Sequence, residues 1–304
     1  MSNINLVNLF QKATFFSKGT RFEKLRKVPT KLLYSKILEV ITKLDKKAIR
    51  IRAKTFWDED MLVAIPERVS LSIYRYGFFE EDLTKMILEY LKPGMTFFDI
   101  GAHFGYFTLL SSALVGNSGR THSFEPTPST FNILKANVSN KDNVITNNNA
   151  VFSMRKRVFI NDYGIKYSAF NSLYDARLPK DVLAKLKVRK YEVESISIDD
   201  YVENNAITPD FIKIDAESSE FEIILGMEKT INKFHPIITI EVGDMCVEGV
   251  PTTKELINFL INRGYKPYEF KEGEILQHTP KNEQYKYNNI LFLPNKPCQN
   301  ARSS

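Results

Sequence analysis

Two short apolar segments in the second half of the chain end in charge. In Phe211-Ile-Lys-Ile-Asp-Ala-Glu217 the side chains of Lys213, Asp215 and Glu217 alternate, so an extended backbone points all three to one face. Glu220 follows shortly after, and Glu241 stands near the end of the next apolar run, residues 236–242. Carboxylates gathered around an ammonium suit the removal of a proton from an alcohol. Asp215 or Glu217 is the expected base or hydroxyl acceptor, with Glu241 assisting from the neighbouring strand. Oxygen ligands of this kind also bind divalent cations, but Lys213 in their midst argues against one, and no metal is expected. For Glu220 the plain alternative is stabilisation of a helix start, worth ~0.3–1 kcal/mol with no catalytic part.

A second constellation lies upstream: Asp99-Ile-Gly-Ala-His-Phe-Gly105, then Glu125, 24 residues beyond Gly101. Gly101 permits a turn too tight for a side chain, and Gly105 lets a helix begin close to a ligand. Backbone N–H groups at that helix start suit an anionic group, and a carboxylate at the next strand end suits a ribose diol. Together they imply a nucleoside-bearing cofactor. A dinucleotide calls for G-x-G-x-x-G, whereas three residues separate the glycines here, and the His103 side chain stands where bare backbone would meet a pyrophosphate. Asp99 would repel a pyrophosphate and attract the amino group and sulfonium of S-adenosylmethionine. The loop therefore favours S-adenosylmethionine over a nicotinamide cofactor, which would make the chain a dehydrogenase. His103 is a second candidate base, with a reference pKa of ~6.5, although its loop position suits ligand contact better.

Strands and helices must alternate to bring these groups together. Residues 61–65 and 71–74 have the look of a strand pair, and residues 81–91 of an amphipathic helix ended by Lys92-Pro93-Gly94. Strands are expected at 96–100, 121–124, 144–151, 211–214, 236–242, 265–270 and 290–293. Helices intervene at 106–115, after Thr127-Pro128, after Ser219 with Glu222 as a capping box, and from the Thr252/Glu255 box to Gly264. Such alternation means a doubly wound, mostly parallel sheet with helices on both faces, its ligands beyond the carboxyl ends of the strands. Residues 161–187, with Tyr163, Tyr167, Phe170, Asn171, Tyr174 and Arg177, read as a lid that selects the acceptor, or equally as a solvated excursion.

The motifs taken together resemble the FkbM family of S-adenosylmethionine-dependent methyltransferases. The resemblance rests on residues 99–108 (Asp-Ile-Gly-Ala-His-Phe-Gly-Tyr-Phe-Thr), Phe124-Glu-Pro-Thr-Pro128 with Asn137, and residues 211–220 with Leu225-Gly226. Residues 72–80, Ile198-Asp-Asp-Tyr201 and 236–241 fit the same pattern, so it spans about 57–293 in order. It implies a Rossmann-like class I fold with seven strands and O-methylation of a sugar, glycan or glycolipid hydroxyl. The implied cofactor contacts are Asp99, Gly101, His103, Phe104, Gly105 and Tyr106, then Glu125 and Pro126, Asn149 and Ala150, and Asp215. Two positions depart from the family: His103 where Asn is usual, and Ser218 where the motif has Gly.

Composition bounds the rest. With 43% hydrophobic residues in 304, the chain holds enough apolar material for a sizeable core. No apolar run reaches the ~18 residues of a membrane span, and the first ten residues do not read as a signal peptide. Cys246 and Cys298 are too few for a disulfide framework, so a reducing, cytoplasmic setting is expected. Residues 1–54 carry 14 Lys and Arg against 3 Asp and Glu, a net +11 on a mildly acidic body of residues 55–304. This basic extension contains one helix whose stripe, Leu33, Ile37, Val40 and Leu44, is expected to dock with lysines around it. Contact with an anionic membrane is a further role for the arm. Nucleic acid binding by an otherwise idle domain is disfavoured, since the arm lacks interleaved aromatic residues for base stacking.

Overall fold

The computed structural model describes residues 3–45, 47–174, 180–244, 251–271 and 273–295; Arg177, Cys246 and Cys298 lie outside them. The basic segment forms α1 (Asn3–Ser17), α2 (Arg21–Lys27), α3 (Pro29–Asp45) and β1 (Ile49–Lys54). It is built into the body. Leu6, Phe10 and Ala13 of α1 join the main core, with the Phe10 ring 5.1 Å from Phe56 and 5.3 Å from Phe78. β1 pairs antiparallel with β2 (Asp60–Ile65), Ala53 opposite Met61, so one hairpin straddles the division expected at residue 54. The docking expected of α3 is inverted: Ser35, Leu38 and Thr42 are buried, while Leu33, Ile37, Val40 and Leu44 are exposed. Arg75 explains the choice, because its Nε donates to Ser35 Oγ at 2.9 Å and its guanidinium pairs with Glu39.

Residues 71–74 are not a strand. They lie in α4 (Arg68–Tyr76), which begins where the Glu67 carboxylate accepts the N–H groups of Val69 (2.8 Å) and Ser70 (2.7 Å) and ends at Gly77, φ +82°. The Leu-Ser-Ile-Tyr alternation imitates a strand, but Ser70 and Ile73 are the residues the helix buries. The sheet then builds as foreseen through α5 (Glu81–Tyr90), β3 (Thr96–Ile100), α6 (Tyr106–Val115), β4 (Arg120–Phe124), α7 (Pro128–Asn137) and β5 (Val144–Asn147). The strand expected over 144–151 breaks after Asn147. β6 (Ala150–Val151) leaves to pair with β8 (Arg189–Ile196), which also pairs with β7 (Arg157–Asp162) in a small separate sheet. Between β7 and β8 lie a 3₁₀ turn, Ile165–Phe170, and α8 (Lys180–Leu183).

The second half supplies α9 (Ile198–Asn205), β9 (Phe211–Ile214), α10 (Glu220–Leu225), α11 (Glu228–Phe234), β10 (Ile237–Val242), α12 (Thr253–Ile261), β11 (Tyr265–Lys271), β12 (Glu274–Gln277) and β13 (Asn288–Pro294). The main sheet runs β12-β11-β13-β10-β9-β3-β4-β5. From β10 to β5 every pairing is parallel, and β13 enters antiparallel to β10. It is thus a Rossmann-like, mostly parallel sheet of eight strands where seven were expected. The addition is β12, a short edge strand whose exposed Glu274 and Gln277 hide its pairing with β11 from a hydrophobicity pattern. Apolar clusters pack on both faces. The Thr252/Glu255 capping box forms, whereas Ser219 makes no side-chain cap. Glu220 does that work instead, its Oε1 accepting from Ala216 N (3.2 Å) and Ser218 N (3.1 Å).

Candidate active site

A cavity of about 150 Å³ opens at the carboxyl ends of β3, β4, β9 and β10. Its walls include Gly101, His103, Tyr106, Glu125, Pro126, Asn149 and Ala150 from the expected cofactor set, and Lys213, Asp215, Glu217 and Glu241 from the expected catalytic set. Asp99, Phe104 and Gly105 lie behind that wall.

Glycine is required at Gly101. Its φ is +74°, and a Cβ there would fall 1.7 Å from the carbonyl oxygen of Asp215, so the loops after β3 and β9 touch only because the side chain is absent. Gly105 serves packing, since a Cβ would meet Leu134 of α7 at 2.6 Å. His103, in the left-handed region at φ +51°, donates its backbone N–H to Glu125 Oε2 at 3.0 Å. Its Nε2 lies 2.8 Å from Ser168 Oγ, and its ring stacks on Phe104 with centroids 3.9 Å apart. Burial, then the nearby Lys213 ammonium, pull the His103 pKa down to about 3. A neutral imidazole of that kind is a contact group, not a base for neutral pH. Glu125 also accepts the N–H of Thr127 (2.9 Å), and burial raises its pKa to about 7.

Asp99 has another task than the one its position at the strand end implied. It is fully buried; its Oδ2 accepts from Thr108 Oγ1 at 2.6 Å, and its Oδ1 lies 3.2 Å from Lys213 Nζ. Lys213, only 2% exposed, also approaches Asp215 Oδ2 at 3.5 Å, and donates to the carbonyls of Gly101 (3.0 Å) and Ile100 (3.4 Å). Burial pulls the Lys213 pKa down, but Asp99 and Asp215 outweigh it and the net shift is upward, so the ammonium stays charged. Asp99 therefore anchors the cation that underlies the site.

Around that cation the carboxylates crowd. The closest carboxylate oxygens of Asp215, Glu217 and Glu241 lie within 4.8 Å of one another, an arrangement that could hold a divalent cation, although Lys213 already supplies a positive charge at Asp215. Burial and then repulsion from Asp215 push the Glu241 pKa well up, and Glu241 carries no side-chain hydrogen bond among the described residues. Glu217 (φ +45°) accepts from the Tyr287 hydroxyl at 3.0 Å. Ser218 has φ +87°, a left-handed backbone of the kind glycine favours, here with a side chain on it. Sequence reasoning missed Glu80. It lines the cavity just before α5, and burial followed by repulsion from Asp215 raises its pKa to about 7. Its sequence signals were its place at the end of the 72–80 segment and an acidic residue directly ahead of a helix, which reads as dipole stabilisation. From the expected lid, Asn171 lines the cavity together with Ser168 and Ser172, whereas Tyr163, Tyr167, Phe170 and Tyr174 do not.

The family model for the methyltransferase FkbM domain matches residues 99–267, more than half of the chain. The chain belongs to the FkbM methyltransferase family. The matched domain is a methyltransferase domain of a family that uses S-adenosylmethionine, which overturns the nicotinamide alternative. Among solved structures, it is similar to the methyltransferase FkbM of Methylobacillus flagellatus KT, at 14% identity over 73% of this chain with a TM-score of 0.40. The match spans 52% of that protein, about half its length. Fibrillarin of Aeropyrum pernix, solved with natively bound S-adenosyl-L-methionine, is 13% identical over 67% of this chain and 68% of its own, TM-score 0.39. A putative rRNA methylase of Clostridium thermocellum is 13% identical over 69% and 90%, TM-score 0.42. A search of curated proteins found no match. No helix among the described residues of this FkbM-family chain is long and apolar enough to cross a membrane.

Proposed function

We propose that this protein O-methylates a hydroxyl of a sugar, glycan or glycolipid. The observation that carries the reading is the cluster of Asp215, Glu217 and Glu241, with Lys213 beside Asp215, in the same cavity that Glu125 and His103 line. Glu125 would hold the cofactor's ribose, with the Gly101–His103 backbone and Asn149-Ala150 flanking it; a buried carboxylate facing the cavity fits a diol. S-adenosylmethionine supplies, when bound, an electrophilic methyl group. The protein's part is to hold the acceptor hydroxyl in line and to take its proton. Asp215, held 3.5 Å from the Lys213 ammonium, is placed to orient the hydroxyl. Glu241, with its raised pKa and free lone pairs, is the better proton acceptor, with Glu80 and Glu217 beside it. Hydroxyl and amide groups from Ser168, Asn171 and Ser172 suit a polyhydroxy acceptor. An acidic mouth of this kind would repel a phosphate backbone.

Calorimetric titration with S-adenosylhomocysteine, on the wild type and Glu125→Ala, tests the cofactor half; binding should weaken in the variant. Transfer of labelled methyl groups to a panel of sugars and glycolipids tests the other half. Glu241→Gln should lower turnover by ~10²-fold or more while cofactor affinity survives. Undiminished turnover in Glu241→Gln, Asp215→Asn and Glu217→Gln alike would sink the assignment of the base.

A further inference from the structure

Helix α3 turns its apolar side outward. Leu33, Ile37, Val40 and Leu44 are 62%, 46%, 56% and 76% exposed, with Tyr34 and Ile41 beside them, while the opposite side is held down through Ser35 and Glu39 by Arg75. The outward stripe is therefore not waiting for the protein's own core. Phe22 and Leu25 of α2 and Phe15 of α1 add exposed apolar surface in the same segment. Soluble surfaces seldom leave so many large apolar side chains together without a partner.

Charge indicates which partner. Residues 1–54 are net +11, and two of their three acids are already engaged: Glu39 by Arg75 and Lys36, Glu23 by the cap of α2. Arg21, Lys24, Arg26, Lys31 and Lys43 make no ion pair among the described residues. At 3.6 residues per turn, Lys36 and Lys43 border the Leu33–Leu44 stripe. An apolar face edged by cations is the pattern of a helix lying in the headgroup plane of a bilayer, its aliphatic side chains immersed and its lysines at the phosphates. A second copy of the chain would bring another strongly basic segment against the same face, and like charges oppose that contact. Nucleic acid would leave the apolar stripe in water.

We propose that α2 and α3 form a peripheral docking surface for an anionic lipid bilayer. The surface is separate from the methyl-transfer chemistry, yet physically joined to it. Helix α3 rests on α4, and α4 contributes Val69 to the wall of the active-site cavity. Docking therefore sets that wall close to the membrane.

Sedimentation of the full chain with phosphatidylcholine vesicles, with and without phosphatidylglycerol, tests the proposal without any acceptor or cofactor. Binding should appear on the anionic vesicles, exceed that on neutral ones, and fall as salt rises. The variant Leu33→Gln/Ile37→Gln/Val40→Gln/Leu44→Gln should bind at least about tenfold more weakly with an unchanged melting curve, since all four side chains are exposed. Lys24→Gln/Lys31→Gln/Lys43→Gln should lose roughly fivefold per residue, on anionic vesicles alone. No binding to anionic vesicles, or full binding by the apolar variant, would overturn it. A dimer by light scattering, abolished in the apolar variant and unaccompanied by vesicle binding, would give the face to a second copy.

Discussion

Replacing Lys213 by Met removes the cation on which three elements converge, and its cost follows from the burial. Asp99 is fully buried and Lys213 2% exposed, so neither charge is compensated by water. With the ammonium gone, Asp99 keeps only the Thr108 hydroxyl, and the carbonyls of Gly101 and Ile100 lose their charged donor. Breaking a buried pair from one side costs about 3–5 kcal/mol, because the remaining charge stays where it was. The double variant Asp99→Asn/Lys213→Met removes that charge and should regain roughly half of the loss. Asp215→Asn is the contrast: its side chain is 24% exposed and 3.5 Å from the ammonium, so solvent screens it and about 1 kcal/mol or less is expected. Urea unfolding of all four proteins, with the slope m unchanged across the set, measures the differences. A Lys213→Met protein within 1 kcal/mol of wild type, or a double variant no better than the single, would refute the view that the Asp99–Lys213 pair holds the floor of the site.

Three further outcomes are expected. Gly101→Ala should abolish S-adenosylhomocysteine binding by calorimetry and cost more than about 2 kcal/mol, because its Cβ would lie 1.7 Å from the Asp215 carbonyl oxygen at a left-handed φ. Ser218→Gly should raise stability by about 1 kcal/mol in thermal unfolding, since φ +87° is costly for serine and free for glycine. Glu80 combines activity and stability: its folded pKa of about 7 lies above the ordinary glutamate value of 4.5, so its favourable contribution is full below the latter and is lost as pH rises through the former. Turnover should accordingly climb as pH rises through about 7 and lose part of that limb in Glu80→Gln, while the same variant gains roughly 1–3 kcal/mol of stability at pH 8.

The alternating core of the fold was legible because its central parallel strands, β3 and β9, are short, fully buried runs followed by a turn. Phe97 and Phe98 of β3 and Ile212 and Ile214 of β9 carry that signal with almost no polar interruption. Local pattern failed where a long-range polar contact chose the face. Helix α3 has its larger apolar stripe on one side, yet Arg75, more than thirty residues away, holds the other side down. Period alone likewise could not tell α4 from a strand, since the deciding group is the buried Glu67 carboxylate at its start.

The site shows the same division between type and conformation. The residue types that face the cavity were readable from spacing, but not which carboxylate is held and which is free, because that depends on where one buried ammonium sits. Nor was the strain readable. Of seven non-glycine residues with positive φ among those described, Glu80, His103 and Glu217 line the cavity and Ser218 follows directly. Such residues persist only where their surroundings over-determine them, and the restraints are visible: Glu125 and Ser168 on His103, Glu220 on the Ser218 N–H, Tyr287 on Glu217. A sequence that placed glycine at these positions would have announced the turns. His103 and Ser218 instead carry polar side chains on these turns, that of His103 on the cavity wall itself. Strained backbone thus gathers around the candidate site, much of it where the β3 and β9 loops meet, an observation independent of the charges.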